Sequence, residues 1–425
     1  MAGGDEKMGK DLNGSPTSSP AASLTTTVVR SPRRPLACVM GGMDIIRPLG
    51  IAGIRSWVVA GARKPMRYSR FVDGVIDAVD PWDEPEELVG RLIKFAQTQH
   101  QLPILYYEND GHLALVSRFR DQLSGHFRFV VPEASLVEAL IDKARFHRLA
   151  SALELPVPAS WDLTPHSRIG DFPLGFPVVV KPLTRLDRDR RWVAIAGDAK
   201  AIRVNNIDEL RRVNEQLRKT SISLLAQSLI AGAETSVESY HVYVHGDGEI
   251  VADFAGRKLR TLPERYGHST ALTTAGSPDV IEMGRSIVLK LGLVGVAKLD
   301  FKRDASGGLH LLEVNPRFTL WNHLGALAGV NIPALVYARL TGGRGTPEGS
   351  RRRRTITWCD VPKDFRAARA DSVPFADWVR WVAKADIKTD LAADDPLPFL
   401  LGRLVWGFER ALQRAGTRIR RSRRS

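Results

Sequence analysis

The sequence predicts an α/β protein in which a parallel sheet with helices on both faces is followed by a more antiparallel part. Three observations lead to this fold class. Strand and helix patterns alternate between residues 35 and 119, which is typical of a parallel sheet. Hairpin patterns occupy residues 238–254 and 294–314. Beyond residue 365 the apolar spacing is helical.

The N-terminal third contains short apolar runs that are separated by helical segments. Gly41-Gly42 provides a turn after the first run, and Pro85 stands where the first turn of a helix tolerates proline. The predicted strands are Pro35–Met40, Arg55–Gly61, Val75–Val79 and Leu102–Tyr107. The predicted helices run from Gly42 to about Leu49 and over Glu86–His100 and His112–Phe119.

The remaining segments alternate less regularly and end in helices. An Ala-Ser-Gly-Gly turn within Asp304–Gly308 separates the last two strands. Strands are predicted at Phe176–Pro182, Leu224–Ile230, Glu238–Val244, Glu249–Phe254, Val294–Lys302 and Leu309–Val314. Helices are predicted at Leu136–Leu153, Asp279–Leu291, Leu324–Ala328, Pro333–Leu340, Phe365–Ala385 and Leu397–Ala415.

Composition restricts the class of protein. Hydrophobic residues make up 44% of the 425 residues, enough for two or three domains with their own cores. The two cysteines, Cys38 and Cys359, lie far apart, which argues against a disulfide framework or a zinc site and favours a reducing cytoplasm. The segment 1–32 is rich in Ser, Thr, Pro, Gly and Ala and is predicted to be disordered. It resembles no signal peptide, and no segment has the length and apolarity of a transmembrane helix.

The positive charge is concentrated at the C-terminus. The chain carries a net charge of +14, and residues 349–425 hold 18 Lys and Arg against nine Asp and Glu. A nucleic-acid surface across the whole fold is therefore not expected, and no specific nucleic acid is predicted as a partner. The helix Leu397–Ala415 and the tail Arg418–Arg424 leave three alternatives: packing on the body, docking at an anionic membrane, or nucleic-acid binding by the tail alone.

The segment 294–317 contains most of the side chains for which we predict a metal-binding or catalytic role. Asp300 on one strand of its hairpin would face Glu313 on the other, and Asn315 would lie further along the same face. Two carboxylates and an amide oxygen suit Mg²⁺, with Mn²⁺ as the alternative, carrying the phosphates of a nucleotide. Arg317 follows where it could neutralise a transferred phosphate, and Lys298 would point to the same face as Asp300. The competing interpretation is an ordinary hairpin with solvated acids.

The pattern D-x12-E-x-N-P-R, from Asp300 to Arg317, resembles the metal-binding end of the ATP-grasp superfamily. Its spacing is similar to that of the D-alanine–D-alanine ligases. The flanking segments Gly256–Arg260 and Arg317–Trp321 are more similar to carboxylate–amine ligases related to D-aspartate ligase. The resemblance covers roughly residues 36–345, because several separated motifs occur in the order of the family.

The resemblance implies a domain organisation. Residues 1–32 would precede a preATP-grasp α/β domain at 33–130, which often helps to bind the substrate that is not the nucleotide. A two-lobed ATP-grasp domain of α+β type would occupy 131–345. Residues 346–425 would form a basic helical extension, beginning with a linker near Arg351–Arg354.

The resemblance also implies roles for individual residues. Lys143 and Lys181 would hold the nucleotide phosphates, since lysine offers a compact point charge. Residues 183–191 replace the glycine-rich phosphate lid of better-known members with a charged run, so the lid residues stay unassigned. The predicted catalytic residues are Arg317, Lys258 and Lys298; the predicted adenine contacts are Gln227, Ser228, Leu229 and Ile230, with Glu234 on the ribose.

Two further groups have open interpretations. Glu108-Asn109-Asp110 follows a strand at the edge where open sheets place ligands, but a solvated loop is the favoured interpretation. Arg260 and His268 are candidates for the acceptor site or for a solvated basic loop.

The implied activity is an ATP-dependent ligation that joins a small carboxylate to an amine through an acyl phosphate. Similarity to D-aspartate ligase points to an amino acid joined to a larger acceptor, with a cell-envelope precursor as one option. Bicarbonate-dependent carboxylase or carbamoyl-type chemistry and a non-catalytic ATP-binding protein are the alternatives. A homodimer and peripheral membrane contact are further predictions.

Overall fold

The computed structural model describes residues 34–183, 191–197, 199–264, 266–343, 354–389 and 391–402. Within these ranges the helices are α1 Met43–Ile51, α2 Pro85–Gln97, α3 Asp110–Arg118, α4 Arg120–Ser124, α5 Ala134–Ile141, α6 Lys143–Ala152, α7 Arg191–Ala196, α8 Ile207–Thr220, α9 Pro278–Lys290, α10 Trp321–Leu327, α11 Ile332–Leu340, α12 Val361–Ala370 and α13 Phe375–Lys384. The strands are β1 Ala37–Met40, β2 Ser56–Ala60, β3 Val72–Asp77, β4 Ile104–Tyr107, β5 Ser160–Leu163, β6 Val178–Pro182, β7 Ile202–Val204, β8 Leu224–Ser228, β9 Val237–Val244, β10 Ile250–Leu262, β11 His268–Thr273, β12 Gly295–Arg303, β13 Leu309–Asn315, β14 Thr357–Cys359 and β15 Ile387–Lys388.

The N-terminal sheet has the order β3-β2-β1-β4, and all of its neighbouring strands are parallel. This confirms the predicted α/β class for the first part of the chain. Its strands β1, in the interior, and β4, at one edge, are buried along their whole length, as expected for a sheet covered on both faces. The strand predicted at Val75–Val79 begins earlier, at Val72, where it pairs with Ser56. The C-terminal ends of β1 and β4 lead to Gly41 and Glu108.

A second, smaller sheet is antiparallel and has the order β5-β8-β6-β7. Its own core is packed around Trp192 of α7 and Leu210 and Leu217 of α8. Strand β6 ends at Lys181-Pro182, as the sequence predicts. This sheet therefore provides one lobe with a lysine at the end of a buried strand.

The third sheet has seven strands in the order β13-β12-β9-β10-β11-β14-β15. Tyr240 and Leu299 belong to the core on one face, shared with α5, α6 and α9. Tyr243 and Phe254 belong to the core on the other face, which also contains residues of the N-terminal sheet and of α10 and α11. The antiparallel β12–β13 hairpin at one edge is the hairpin predicted from residues 294–314.

The helix predicted at Leu136–Leu153 is in fact two helices. Asp142 has an extended backbone and its side chain accepts a hydrogen bond from the Arg145 N–H at 2.8 Å. This is an N-cap, so a new helix begins directly after it. The break places Lys143 at the first position of α6.

The predicted helix Phe365–Ala385 is likewise divided, because Ser372 has a positive φ of 56° and Pro374 precedes α13. The extension is also not purely helical, since β14 pairs with β11 and β15 pairs with β14. Arg260 makes two hydrogen bonds to the buried Asp364, at 2.8 and 2.7 Å. Arg260 is thus held by the extension and is no solvated loop residue.

Several sequence predictions fall outside the described residues. These are the predicted disorder of residues 1–32, the charged run from 184 to 190, most of the predicted linker, and the predicted terminal helix and basic tail beyond residue 402. Residues 397–402, the part of the terminal helix that is described, are helical. Across the described ranges, no helix combines the length and apolarity needed to span a membrane.

Candidate active site

The β12–β13 hairpin brings the predicted acidic residues side by side. Asp300 is in register with Glu313, and Lys298 is in register with Asn315, so all four lie on one face. A β-bulge directly follows Asp300, a feature that often aims side chains at functional sites. The Asn315 Nδ2 donates to Glu313 Oε1 at 3.0 Å. The predicted convergence of these groups is therefore present in the structure.

Asp300 is buried, and lysine side chains of the protein balance its negative charge. Lys298 Nζ lies 2.6 Å from Asp300 Oδ2 and 3.9 Å from Glu313 Oε1. The Ser239 hydroxyl on β9 donates to Asp300 Oδ1. Burial alone would raise the pKa of Asp300, but the charges of Lys298 and Lys258 and the two hydrogen bonds bring that pKa well below its ordinary value. Asp300 is accordingly an ionised carboxylate at any physiological pH.

Lys258 reaches the same group from β10. Gly256, two residues earlier, is in register with Ser239, which is in register with Asp300. Side chains two apart on a strand share a face, so Lys258 lies on the face of Asp300. Gly256 is required here, because a Cβ at this position would lie 2.4 Å from the ring of Trp321.

Arg317 connects the hairpin to the N-terminal domain. Its Nε donates to Asp110 Oδ1 at 2.5 Å, and its two terminal nitrogens donate to the Glu108 carbonyl at 2.9 Å and to Asn315 Oδ1 at 3.1 Å. The Glu108 carboxylate accepts from the Gly42 N–H at 2.6 Å, and burial raises its pKa despite that bond and the nearby Arg317. The favoured solvated-loop interpretation of Glu108–Asp110 is therefore wrong.

Lys143 and Lys181 form the opposite wall of the cleft. Lys143 Nζ donates to the Leu183 carbonyl at 3.2 Å, and Lys181 Nζ donates to Gln227 Oε1 at 3.0 Å. Burial and the charge of Lys143 lower the pKa of Lys181 to about 8, although Glu313 acts in the opposite direction. The two lysines are thus close enough to repel each other, and Glu313 is close enough to attract Lys181.

One cavity joins these two walls. Its lining includes Lys143 and Lys181 on one side and Glu313 and Asn315 on the other, with Asp110 also present. The two lysines belong to different elements, α6 and β6, and both lie far from the β12–β13 hairpin in sequence. The fold therefore brings four of the predicted site residues, Lys143, Lys181, Glu313 and Asn315, to one cavity.

The predicted adenine-contacting run is only partly available to a ligand. The N–H groups of Ser228 and Leu229 already donate to the carbonyls of Ala159 at 2.8 Å and Pro177 at 3.2 Å. The Gln227 side chain is buried and bonded to Lys181 and His147. Ile230 is half-buried beyond the end of β8, and the side chain of Glu234 is outside the described part of the structure.

The donor set fits Mg²⁺ better than a transition metal. Among the described residues there is no group of three or more His, Cys, Asp or Glu side chains with metal-binding geometry. Mg²⁺ needs only one or two carboxylates when phosphates and water complete its shell. Asp300 and Glu313 with the Asn315 amide meet that requirement.

Sequence reasoning missed two contributors to the site, Ser239 and His147, and did not predict the partner of a third, Asp110. Ser239 lies on β9, a strand predicted without any role for it, and its hydroxyl contacts Asp300. Asp110 contacts Arg317 across 207 residues of sequence. His147 lines the cavity four residues after Lys143, a helical spacing that could have drawn attention to it.

Comparisons with known proteins show which proteins this chain is similar to. Residues 221–361 match the family model described as ATP-grasp in the biosynthetic pathway with Ter operon. In this segment the chain is similar to the ATP-grasp superfamily. It is 22% identical over 324 residues to the D-aspartate ligase of Enterococcus faecium, a match that covers 70% of this chain and 74% of the relative. It is 25% identical over 187 residues to a D-alanine–D-alanine ligase of Neisseria gonorrhoeae, covering 41% of this chain and 57% of that relative.

Solved structures show the same fold. The L-amino acid ligase of Bacillus licheniformis superposes with a TM-score of 0.56 at 16% identity, covering 77% of this chain and 80% of the other. The N5-carboxyaminoimidazole synthetase of Staphylococcus aureus superposes with a TM-score of 0.59 at 14% identity, covering 81% and 86%. At these identities the likeness establishes the architecture of the chain alone, and its reaction has to be argued from the cleft.

Proposed function

We propose that this protein is an ATP-dependent carboxylate–amine ligase, which activates a carboxylate as an acyl phosphate and joins it to an amine. The observation that carries the proposal is the single cleft in which Lys143 and Lys181 face Glu313 and Asn315. Such a cleft suits phosphoryl transfer, because catalysis of that reaction depends on positioning and charge neutralisation. The names of the relatives, D-aspartate ligase and D-alanine–D-alanine ligase, support amino acids as the substrate class.

Different residues of the cleft would bind different parts of MgATP. Lys143, Lys181 and Lys258 would hold the phosphate chain, and the residues following β8 would receive the adenine. Asp300, Glu313 and Asn315 would hold Mg²⁺, which supplies neutralisation of phosphate charge when bound. Lys298 already neutralises Asp300 at 2.6 Å, so metal binding would require the ammonium to move away from that oxygen.

The reaction then has two balanced steps. An oxygen of the substrate carboxylate bonds to the γ-phosphorus while the bond from that phosphorus to the bridging oxygen of ADP breaks. The amine nitrogen next attacks the acyl carbon, phosphate leaves with the carbon–oxygen bonding pair, and the nitrogen loses a proton. Arg317, fixed by Asp110 and Asn315, would neutralise charge on the transferred group.

A hydroxylamine trap tests the proposal even while the natural amine is unidentified. The full-length protein would be incubated with MgATP, hydroxylamine and single carboxylates, chiefly D- and L-amino acids, while ADP and hydroxamate are measured. An acyl phosphate predicts equal amounts of both products with at least one carboxylate. Glu313→Ala should abolish both signals, whereas Glu282→Ala, an exposed acid on α9, should retain them.

Two outcomes would contradict the proposal. ADP release that depends on bicarbonate alone would favour carboxylase-type chemistry. Tight ATP binding without ADP release across the whole panel would favour a non-catalytic nucleotide-binding protein. A cytoplasmic location, a homodimer and contact of the basic tail with an anionic membrane stay predictions, to be tested by fractionation, sedimentation and liposome binding.

A further inference from the structure

His147 occupies the lysine wall of the cleft and has no part in the reaction described above. It lies on α6 four residues after Lys143, so the two side chains share a helix face. The residue is 4% exposed, lines the same cavity as Lys143 and Lys181, and packs edge-on against Phe146 with ring centroids 5.4 Å apart. Its Nδ1 is buried and makes no hydrogen bond to any described residue.

The neighbouring side chains determine which ring nitrogen of His147 carries the proton. A lysine ammonium can only donate, so the atom of Gln227 that lies 3.0 Å from Lys181 Nζ must be its carbonyl oxygen. The amide nitrogen of Gln227 therefore faces His147 Nε2 at 2.8 Å and donates to it. Since Nε2 accepts, the proton of the neutral ring lies on Nδ1.

The ring also stays neutral. Burial, together with the charge of Lys181, lowers the pKa of His147 to about 4. A protonated ring would need a proton on Nε2 as well, where the Gln227 amide already points its own hydrogen. At neutral pH the ring of His147, a residue that lines the cleft, thus carries a buried Nδ1–H donor that has no acceptor among the described residues.

The surroundings of this donor indicate what would satisfy it. Buried donors are rarely left without a partner, so an acceptor is expected when the site is filled. The cations that line the same cavity, Lys143 and Lys181, favour an anionic oxygen over a neutral one. An N–H donor would add a directed contact to two ammonium charges, which have no preferred direction.

We propose that His147 is a nucleotide-binding residue whose Nδ1–H donates to a phosphate oxygen, and that Gln227 is a positioning residue which fixes this tautomer and aligns Lys181. The inference rests on the nucleotide-binding part of the proposed function and is independent of the ligation chemistry. It assigns the side chain of Gln227 a role that the adenine-contact prediction did not contain.

Two substitutions of His147 form a matched pair. In His147→Asn the amide nitrogen takes the place of Nδ1, so the donor is kept and the link to Gln227 is lost. In His147→Gln the amide group reaches the place of Nε2, so the link is kept and the Nδ1 donor is lost. Titration calorimetry with ADP and with adenosine would measure both variants and the wild type, after melting temperatures confirm that all are folded.

Only His147→Gln is expected to lose affinity for ADP. His147→Gln should weaken ADP binding about tenfold, the size of one lost hydrogen bond to a charged group, and leave adenosine unchanged. His147→Asn should stay within about threefold of wild type for both ligands. Equal ADP affinity of His147→Gln and wild type, an equal loss in both variants, or an equal loss for adenosine would overturn the inference. A wild type that binds neither ligand would overturn the proposed function itself.

A spectroscopic measurement on the wild type does not depend on variants of His147. Nitrogen-15 NMR of labelled histidine distinguishes the two neutral tautomers, and it should show the proton of His147 on Nδ1, shifting when ADP is added. Gln227→Glu should move the proton to Nε2, because a carboxylate can only accept, and should weaken ADP binding. A proton on Nε2 in the wild type, or an unchanged tautomer in Gln227→Glu, would contradict the proposal.

Discussion

The two walls of the cleft differ in how their charges are balanced. On the hairpin wall, both predicted metal-binding acids have a partner within the protein: Lys298 and Ser239 serve Asp300, and Asn315 serves Glu313. On the lysine wall, Lys143 and Lys181 bond to uncharged oxygens of Leu183 and Gln227. The hairpin wall thus contains its own ion pair between Lys298 and Asp300, whereas Lys181 on the lysine wall is bonded to an uncharged oxygen.

This difference has a physical consequence for binding. Burial and, after it, the charge of Lys143 lower the pKa of Lys181, so the charged form of this lysine is costly in the cleft. A polyphosphate would relieve the repulsion, so part of the binding energy comes from the lysine wall itself. On the hairpin wall, a metal ion bound to Asp300 would first have to displace the Lys298 ammonium. We therefore expect nucleotide affinity to depend chiefly on the lysines and turnover chiefly on the hairpin.

The largest expected effect is on the hairpin wall. Glu313→Ala removes a carboxylate that is half exposed to the cleft, with 51% side-chain exposure, so the fold should tolerate it. We expect turnover to fall by about a thousandfold, since the metal contribution amounts to several kcal/mol, while the affinity for metal-free ADP changes little. Steady-state kinetics and calorimetry would measure the two quantities, with Glu282→Ala as the control. A larger change in ADP affinity than in turnover would reverse the proposed division between the walls.

The next effect concerns Arg317 and its support. Arg317→Ala should lower kcat about a hundredfold, the value of one well-placed donor to developing charge. Asp110→Asn keeps Arg317 but weakens its main anchor, so a smaller loss in kcat of about tenfold is expected, with KM for ATP unchanged. The comparison is made by steady-state kinetics. If Asp110→Asn were as severe as Arg317→Ala, Asp110 would have a direct role in the reaction.

A pH dependence is expected from the lysine wall. The pKa of Lys181 is about 8, so this lysine is charged at pH 7 and loses its proton as the pH rises through 8. Bound phosphate raises that pKa, and ATP affinity should therefore fall about tenfold between pH 7 and pH 9 with proton uptake on binding. Calorimetry in buffers of different ionisation enthalpy measures that uptake. Lys181→Arg keeps its charge at pH 9 and should remove the pH dependence of ATP affinity. If the pH dependence remained in this variant, the titrating group would be another residue.

The smallest effect tests the competition between Lys298 and the metal. Lys298→Met removes the ammonium from Asp300 and should lower the Mg²⁺ concentration for half-maximal activity severalfold at pH 7. Because burial then acts on Asp300 with less opposition, the acidic limb of the pH profile should move to higher pH. An unchanged Mg²⁺ requirement would show that Lys298 does not compete with the metal.

Local patterns predicted the hairpin well. The register of Asp300 with Glu313 follows from strand alternation and a glycine-containing turn, and both are visible within the single segment 294–315. The alternating strands and helices likewise predicted the parallel sheet. Lys143 and Lys181 were predicted to bind phosphate because the motifs occur in the order of the family. In the fold, both lysines line the same cavity as Glu313.

Contacts between distant segments could not be predicted in this way. Nothing near Asp110 in the sequence indicates that it binds Arg317, and nothing near Arg260 indicates that Asp364, 104 residues later, is its partner. The helix break at Asp142 had a local signal, an N-cap residue directly before a new helix, but the apolar spacing on both sides concealed it. The roles of Ser239 and His147 became visible only once their neighbours were known.

A crystal structure with Mg²⁺ and a non-hydrolysable ATP analogue would test the central claim most directly. We predict that the triphosphate lies between Lys143 and Lys181 on one side and Glu313 and Asn315 on the other, with metal on Asp300 and Glu313 and the Lys298 ammonium moved off Asp300. A nucleotide bound outside this cleft, or phosphates ordered there without metal on either carboxylate, would contradict it.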